Sequence, residues 1–233
     1  MFDLTRFFQS PFDDRNISFS HLLRYTKNHL ERLAANDPAG TFAARRAATT
    51  TALAAFEATF TVNDGKLGER KAQKRTKQKV RKSLPAAVGK ICLAVQVQFG
   101  ETAPEVRECF PEGRRIFSRC RDAVLENHLE TLVAGLTVHA ASLPPAVLTQ
   151  AQSLLAGWRA VNAASGTAGG QKAAAESARR DARRGLEREL YLNLLALAQA
   201  YPLQPEKLAL FAQPSLLLLA KSHPEKSAPS PEA

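Results

Sequence analysis

Asn28-His29-Leu30-Glu31 and Asn127-His128-Leu129-Glu130 are the same tetrapeptide, written about a hundred residues apart in one chain. Agreement continues on both sides in the same order. Phe19-Ser20 returns as Phe117-Ser118, Leu53-Ala54 as Leu155-Ala156, Arg81 as Arg183, and Pro104-Glu105 as Pro205-Glu206. Phe56/Trp158 and Phe99/Tyr201 are conservative pairs along the same line. Ala- and Leu-rich helices can be slid into partial agreement, but Asn-His-Leu-Glu is not low-complexity sequence. The spacing drifts by only a few residues, at points where loops are expected. The pattern predicts a block copied head to tail.

Each copy reads as three helices. Ser18 or Ser20 can cap a first helix whose apolar stripe is Phe19, Leu22, Leu23, Thr26, Leu30 and Leu33. Asp37-Pro38-Ala39-Gly40 ends it, through a fixed proline φ and low helix propensity. A second helix is expected from Thr41 to about Val62, closed by the turn signal Asn63-Asp64-Gly65. A third runs from Lys66 to about Phe99 as one helix bent near Leu84, because Pro85 corresponds to Glu187 in an unbroken stretch of the second copy. That copy is expected to place helices from Ile116 to Ala141, from the Leu143-Pro144-Pro145 break to about Ala163, and, after a turn at Gly166–Gly170, to Tyr201. Leu208–Leu219 reads as a short closing helix.

The fold class is therefore all-α: two tandem three-helix repeats related by a pseudo-twofold and packed as one six-helix bundle around two long helices. The expected organisation is an N-terminal arm at 1–17, repeat one at 18–112, repeat two at 113–221 and a disordered Pro/Ser-rich tail at 222–233. The apolar ends of the long helices, with Ile91, Leu93 and Val95 in one and Leu190, Leu195 and Leu197 in the other, are expected to meet at the centre of the molecule.

Composition is that of a globular protein, 45% apolar and 23% charged. No run approaches the roughly 20 apolar residues of a membrane span, and the first residues lack the cationic and apolar regions of a signal peptide. Cys92, Cys109 and Cys120 have no metal-ligand spacing and read as reduced thiols of a cytoplasmic protein.

The unusual quantity is the net charge of +10, and it is concentrated. Lys66, Arg70, Lys71, Lys74, Arg75, Lys77, Lys79, Arg81 and Lys82 face a single acid, Glu69. Only Ala72, Thr76, Val80, Ser83 and Ala87 make an uncharged stripe, too narrow to bury the segment. The aligned stretch carries Arg179, Arg180, Arg183 and Arg184, partly compensated by Glu176, Asp181 and Glu187. Such a helix attracts phosphates through counterion release without reading bases. The stripe lacks the bulky apolar residues of a membrane-surface helix, and no aromatics interleave the charges to stack bases. The expected role is a non-enzymatic binding or scaffold protein using Arg70 to Lys82, and the arginines of the second copy, to contact nucleic acid foremost or an acidic protein. The alternative is a structural or assembly protein whose charged face is merely solvated. Nothing in the pattern sets the number of subunits.

Two Arg-to-His spacings, Arg24 to His29 and Arg121 to His128, resemble the R-x(4–6)-H pattern of HEPN ribonucleases, an all-helical family. That resemblance covers these residues alone and implies a third reading, RNA cleavage by the pairs. The other reading of His29 and His128 is that they flank the apolar stripe and hydrogen-bond between helices. Glu-x-x-His spacing for a di-metal site is absent, Gly166–Lys172 lacks the spacing and preceding strand of a phosphate loop, and no Ser/His/Asp or Cys/His set stands out. Neither metal nor cofactor is expected.

Overall fold

The computed structural model describes residues 10–14 and 16–217; the expected tail and most of the N-terminal arm lie outside these. Seven α-helices are present among the described residues: α1 (Phe19–Asn36), α2 (Ala43–Phe99), α3 (Pro104–Cys109), α4 (Ile116–Arg119), α5 (Asp122–Val138), α6 (Pro145–Ala200) and α7 (Pro205–Phe211). The protein is all-α and dominated by two very long helices, of 57 and 56 residues.

Local chemistry explains where the helices begin. Ser18 Oγ accepts from the His21 N–H at the start of α1. Asp37 takes the N–H groups of Thr41 and Phe42 with its two carboxylate oxygens, at 2.8 and 2.7 Å, beside Gly40 at φ +73°. Pro145 opens α6, where the missing N–H costs nothing.

The expected breaks inside the long helices do not occur. Asn63-Asp64-Gly65 and Gly166–Gly170 both lie within continuous helix. Asn, Asp and Gly each cost about 1 kcal/mol or less relative to alanine in a helix interior, and no proline stands at either place to remove a bond. Helix already formed on both flanks propagates through such residues. Asn63 is buried, and Lys66, one turn on, donates to Gln171 at 2.8 Å and to Glu69 at 2.9 Å. Pro85 likewise sits inside α2 without ending it; Leu84 and Val88 on either side are fully buried.

The converse occurs at Cys120. One helix was expected from Ile116 to Ala141, but the chain turns extended at Cys120 and Arg121, separating α4 from α5. Nor is the closing helix at Leu208–Leu219: α7 begins earlier, at Pro205, ends at Phe211 and is followed by a 3-10 turn at Pro214–Leu216.

The chain divides into two compact units. The terminal unit comprises residues up to Asn63 with those from Ala175 onward; the central unit is Asp64–Ala174. Each long helix therefore contributes a different half to each unit, and packing does not follow the boundaries of the sequence repeat.

In the terminal unit, Leu22 and Tyr25 of α1 pack with Leu53 and Phe56 of α2 and Leu186 and Leu190 of α6. A second cluster joins Leu33, Phe42, Leu197 and Phe211. Here α2 and α6 run antiparallel: Phe42 lies beside Tyr201, and Asn193 donates to Thr49.

In the central unit, Leu84, Val88, Ile91 and Val95 of α2 pack against Leu125, Leu129 and Leu132 of α5 and Leu155 and Trp158 of α6. α3 crosses α5 where Gly135 has no side chain; a Cβ there would stand 2.8 Å from the Cys109 Cα. The apolar ends of the two long helices thus serve different cores and not the single centre expected. Leu93 and Leu195, expected at the centre, are 61% and 47% exposed.

Along the long helices several positions that correspond in the sequence alignment share their burial, whereas in the first helices His29 is buried and His128 half-buried, and Tyr25 is buried where Val124 is exposed. Leu53/Leu155, Phe56/Trp158, Leu84/Leu186, Val88/Leu190, Ile91/Asn193 and Val95/Leu197 are all buried. Lys27 pairs with Glu57 at 2.7 Å in the terminal unit, and Arg159 pairs with Glu126 at 2.7 Å in the central unit, the aligned bridge with its charges exchanged.

Candidate functional site

The basic segment forms one uninterrupted stretch of α2 within the central unit. At 100° per residue, Arg70, Lys74, Lys77 and Arg81 fall on one face, while Lys71, Arg75, Lys79 and Lys82 fall on another. Arg70, Lys71, Lys74, Arg75, Lys79 and Lys82 are exposed and make no ion pair with any described carboxylate. Glu69, the acid nearest in sequence, is already engaged by Lys66.

Lys77 and Arg81 behave differently. Lys77 lies over the Trp158 ring, 5.3 Å from its centroid, and pairs with Asp122 at 2.9 Å. Arg81 pairs with the other oxygen of Asp122 at 3.2 Å and donates to the backbone carbonyls of Phe117 and of Cys120, the latter at 2.7 Å. Those carbonyls close α4, and Asp122 opens α5. A helix end leaves carbonyls unbonded, so the guanidinium stabilises the break between α4 and α5, which no local signal predicted.

In the second copy, Arg179 stacks over Phe19 at 4.4 Å, and Arg183 lies 5.1 Å from the same ring. Arg183 also bonds Glu187 and the Asp14 carbonyl. Burial raises the Glu187 pKa, and the hydrogen bond from Arg183 opposes that shift. Arg184 pairs with Asp181 at 3.4 Å, and Arg180 is exposed. Lys77, Arg81, Arg179 and Arg183 therefore work inside their own units; exposed cations remain on α2 and also at Arg107, Arg114, Arg115, Arg119 and Arg121 of the central unit.

Between the first face of the segment and α6 lies a cleft of about 340 Å³. Arg70, Lys74, Lys77 and Arg81 form one wall; Ser165, Gly166 and Gly169 form the other, with Asp122 at its edge. Sequence reading missed this second wall because the glycines looked like a turn.

His29 is buried, and both ring nitrogens are occupied. Nδ1–H donates to the Phe211 carbonyl at 2.7 Å, closing the end of α7. Nε2 then accepts from the Asn193 amide at 3.1 Å, whose second proton goes to Thr49 at 2.9 Å. Tyr25 stacks on the imidazole, and burial pushes its phenol up to about 12. Desolvation lowers the His29 pKa, the Phe211 bond opposing it. Arg24, by contrast, is exposed, so the pair that resembles a HEPN motif shares no surface. This is the interhelical hydrogen-bonding role. His128 lies against Phe117 and is 3.7 Å from Glu112. Asn193 was legible only as an amide stranded in an otherwise leucine-rich run.

Among the described residues, no group of three or more His, Cys, Asp or Glu is placed to hold a metal ion, and no helix is long and apolar enough to cross a membrane. The three cysteines are free. Comparisons with protein-family models, curated proteins and solved structures find no match.

Proposed function

We propose that this is a non-enzymatic helical binding protein that contacts the phosphate backbone of nucleic acid through the basic segment of α2. The observation that carries the reading is the set Arg70, Lys71, Lys74, Arg75, Lys79 and Lys82: exposed, consecutive along two faces of one helix, and without carboxylate partners among the described residues. A fold that needed these cations for its own packing would engage them, as it engages Lys77 and Arg81. The two walls around Asp122 leave positive charge in excess, and low-dielectric surroundings focus such a field toward an approaching anion. No aromatic side chain lies among the cations to stack a base, so the contact is one of backbone charge and not of sequence. A cytoplasmic setting fits three unpaired thiols.

We also infer that the long helices descend from one duplicated block whose copies exchanged their partners. Matching burial at corresponding positions of the long helices, and the Lys27–Glu57 bridge answered by Glu126–Arg159, support this.

Fluorescence anisotropy with a labelled duplex of about 20 base pairs tests the binding role. About four phosphate contacts predict an affinity that falls roughly a hundredfold between 50 and 200 mM salt. No binding of either this duplex or a single strand of equal length at the lower salt, or an affinity independent of salt, overturns it and leaves the structural or assembly reading.

A further inference from the structure

Within the basic segment the two faces are not equivalent, and the inference that follows rests on the nucleic-acid reading above. Lys71, Arg75, Lys79 and Lys82 look outward from a convex helix surface. Arg70 and Lys74 instead look into the cleft, where the opposite wall is Ser165, Gly166 and Gly169 of α6. We propose that this cleft is the seat of the nucleic acid, taking the phosphodiester backbone of one strand between α2 and α6, with Arg70 and Lys74 as its direct phosphate ligands.

The cations carry the argument, and the glycines opposite leave them room. A helix-interior glycine costs about 0.5–1 kcal/mol relative to alanine. Gly166 and Gly169 have no positive φ to require them. A Cβ at either position would meet nothing within 4 Å. Gly135 is the contrast: a Cβ there collides with the Cys109 backbone, so its absence is explained by the fold itself. At Gly166 and Gly169, as at the other helix-interior glycines apart from Gly135, a side chain would meet nothing, and here the open space is the cleft lined by cations.

The charge in the cleft is arranged for an anion. Asp122 is bound by Lys77 and Arg81 together, so its single negative charge is more than matched. Arg70 and Lys74 are left free to bind an incoming group. A guanidinium meets a phosphate through two parallel N–H donors, and an ammonium adds a point charge beside it. The volume of about 340 Å³ admits a short length of sugar-phosphate chain and no duplex. The cleft therefore holds one strand's backbone, with the outer face left to longer-range attraction.

The test compares full-length variants by anisotropy with the same labelled duplex and with a labelled oligothymidylate of equal length. Gly166→Leu/Gly169→Leu fills the cleft without touching a charge, and Lys79→Glu/Lys82→Glu reverses the outer face without touching the cleft. Arg70→Gln/Lys74→Gln serves as the second cleft variant should the leucines disturb folding, which circular dichroism reports.

The expected result is at least a tenfold loss of affinity in both cleft variants, a shallower salt dependence for Arg70→Gln/Lys74→Gln, and a smaller loss in the outer-face variant. Cleft variants that bind like the wild type while the outer-face variant loses binding overturn the cleft and keep the nucleic-acid reading. A wild type that binds neither probe at low salt overturns that reading itself. Poly-glutamate displacing the probe as well as unlabelled duplex does overturns the phosphate preference, and with it the proposal.

Discussion

Arg81 reaches from α2 to the Phe117 carbonyl, and its aligned counterpart Arg183 reaches from α6 to the ring of Phe19. Phe19 and Phe117 themselves correspond in the repeat, so each arginine serves the short helix belonging to the other copy. The two contacts differ in kind, a hydrogen bond to a backbone carbonyl for Arg81 and a cation over a ring for Arg183. The exchange accords with the duplication proposed above, and it explains why two of the most basic positions are not available to a partner.

Replacing Arg81 by Met removes the donors that close α4 and half of the clamp on Asp122. Leaving carbonyls and a carboxylate with lost partners costs about 1–3 kcal/mol. Lys82→Ala, one residue along on the exposed side, changes stability by less than about 0.5 kcal/mol. Urea unfolding of both variants separates a structural arginine from a surface lysine; equal midpoints would count against the role given to Arg81.

His29 gives the terminal unit a pH dependence. Its pKa is lowered in the native state, chiefly by burial, so below the ordinary value near 6.5 the unfolded chain binds a proton that the folded one refuses. Stability from this group is whole above that value and declines as pH falls beneath it, by up to about 1.4 kcal/mol per unit. Thermal melts between pH 7.5 and 5.5 should fall more steeply for the wild type than for His29→Gln. Parallel profiles would refute a neutral, bonded imidazole.

Neighbouring positions on α2 should respond in opposite ways. Ile91→Asp places a charge among Val88, Val95 and Leu132 in the central core and prevents folding. Leu93→Asp, two residues on, enters water at a site 61% exposed and shifts stability by no more than about 0.5 kcal/mol. Circular dichroism and solubility of the two proteins decide it; an unfolded Leu93→Asp variant would mean that this face is covered.

Much of this was legible before any coordinates. Leu22, Leu33, Leu53, Phe56, Leu84 and Val88 stand at helical spacing and are buried, because a 3.6-residue period records which side faces a core. Pro85 was rightly passed over as a break, since Glu187 in the other copy lies in unbroken helix. Asn63-Asp64-Gly65 misled because turn propensity there is a preference of under a few kcal/mol, and helix on both flanks overrides it. The cleft was partly visible as its cationic wall and invisible as its glycine wall, which lies far away along the chain.

Charge and helical period are properties of neighbours in sequence, and they alone determined that the chain is helical and basic. Which half of a long helix joins which core was decided only by the tertiary structure. An apolar stripe states that a face must be buried and never against what; the partner is chosen by where α1, α5 and the other long helix arrive. For the same reason sequence could count the cations of α2 but could not separate Lys77 and Arg81, held by Asp122, from Arg70 and Lys74, which stay open.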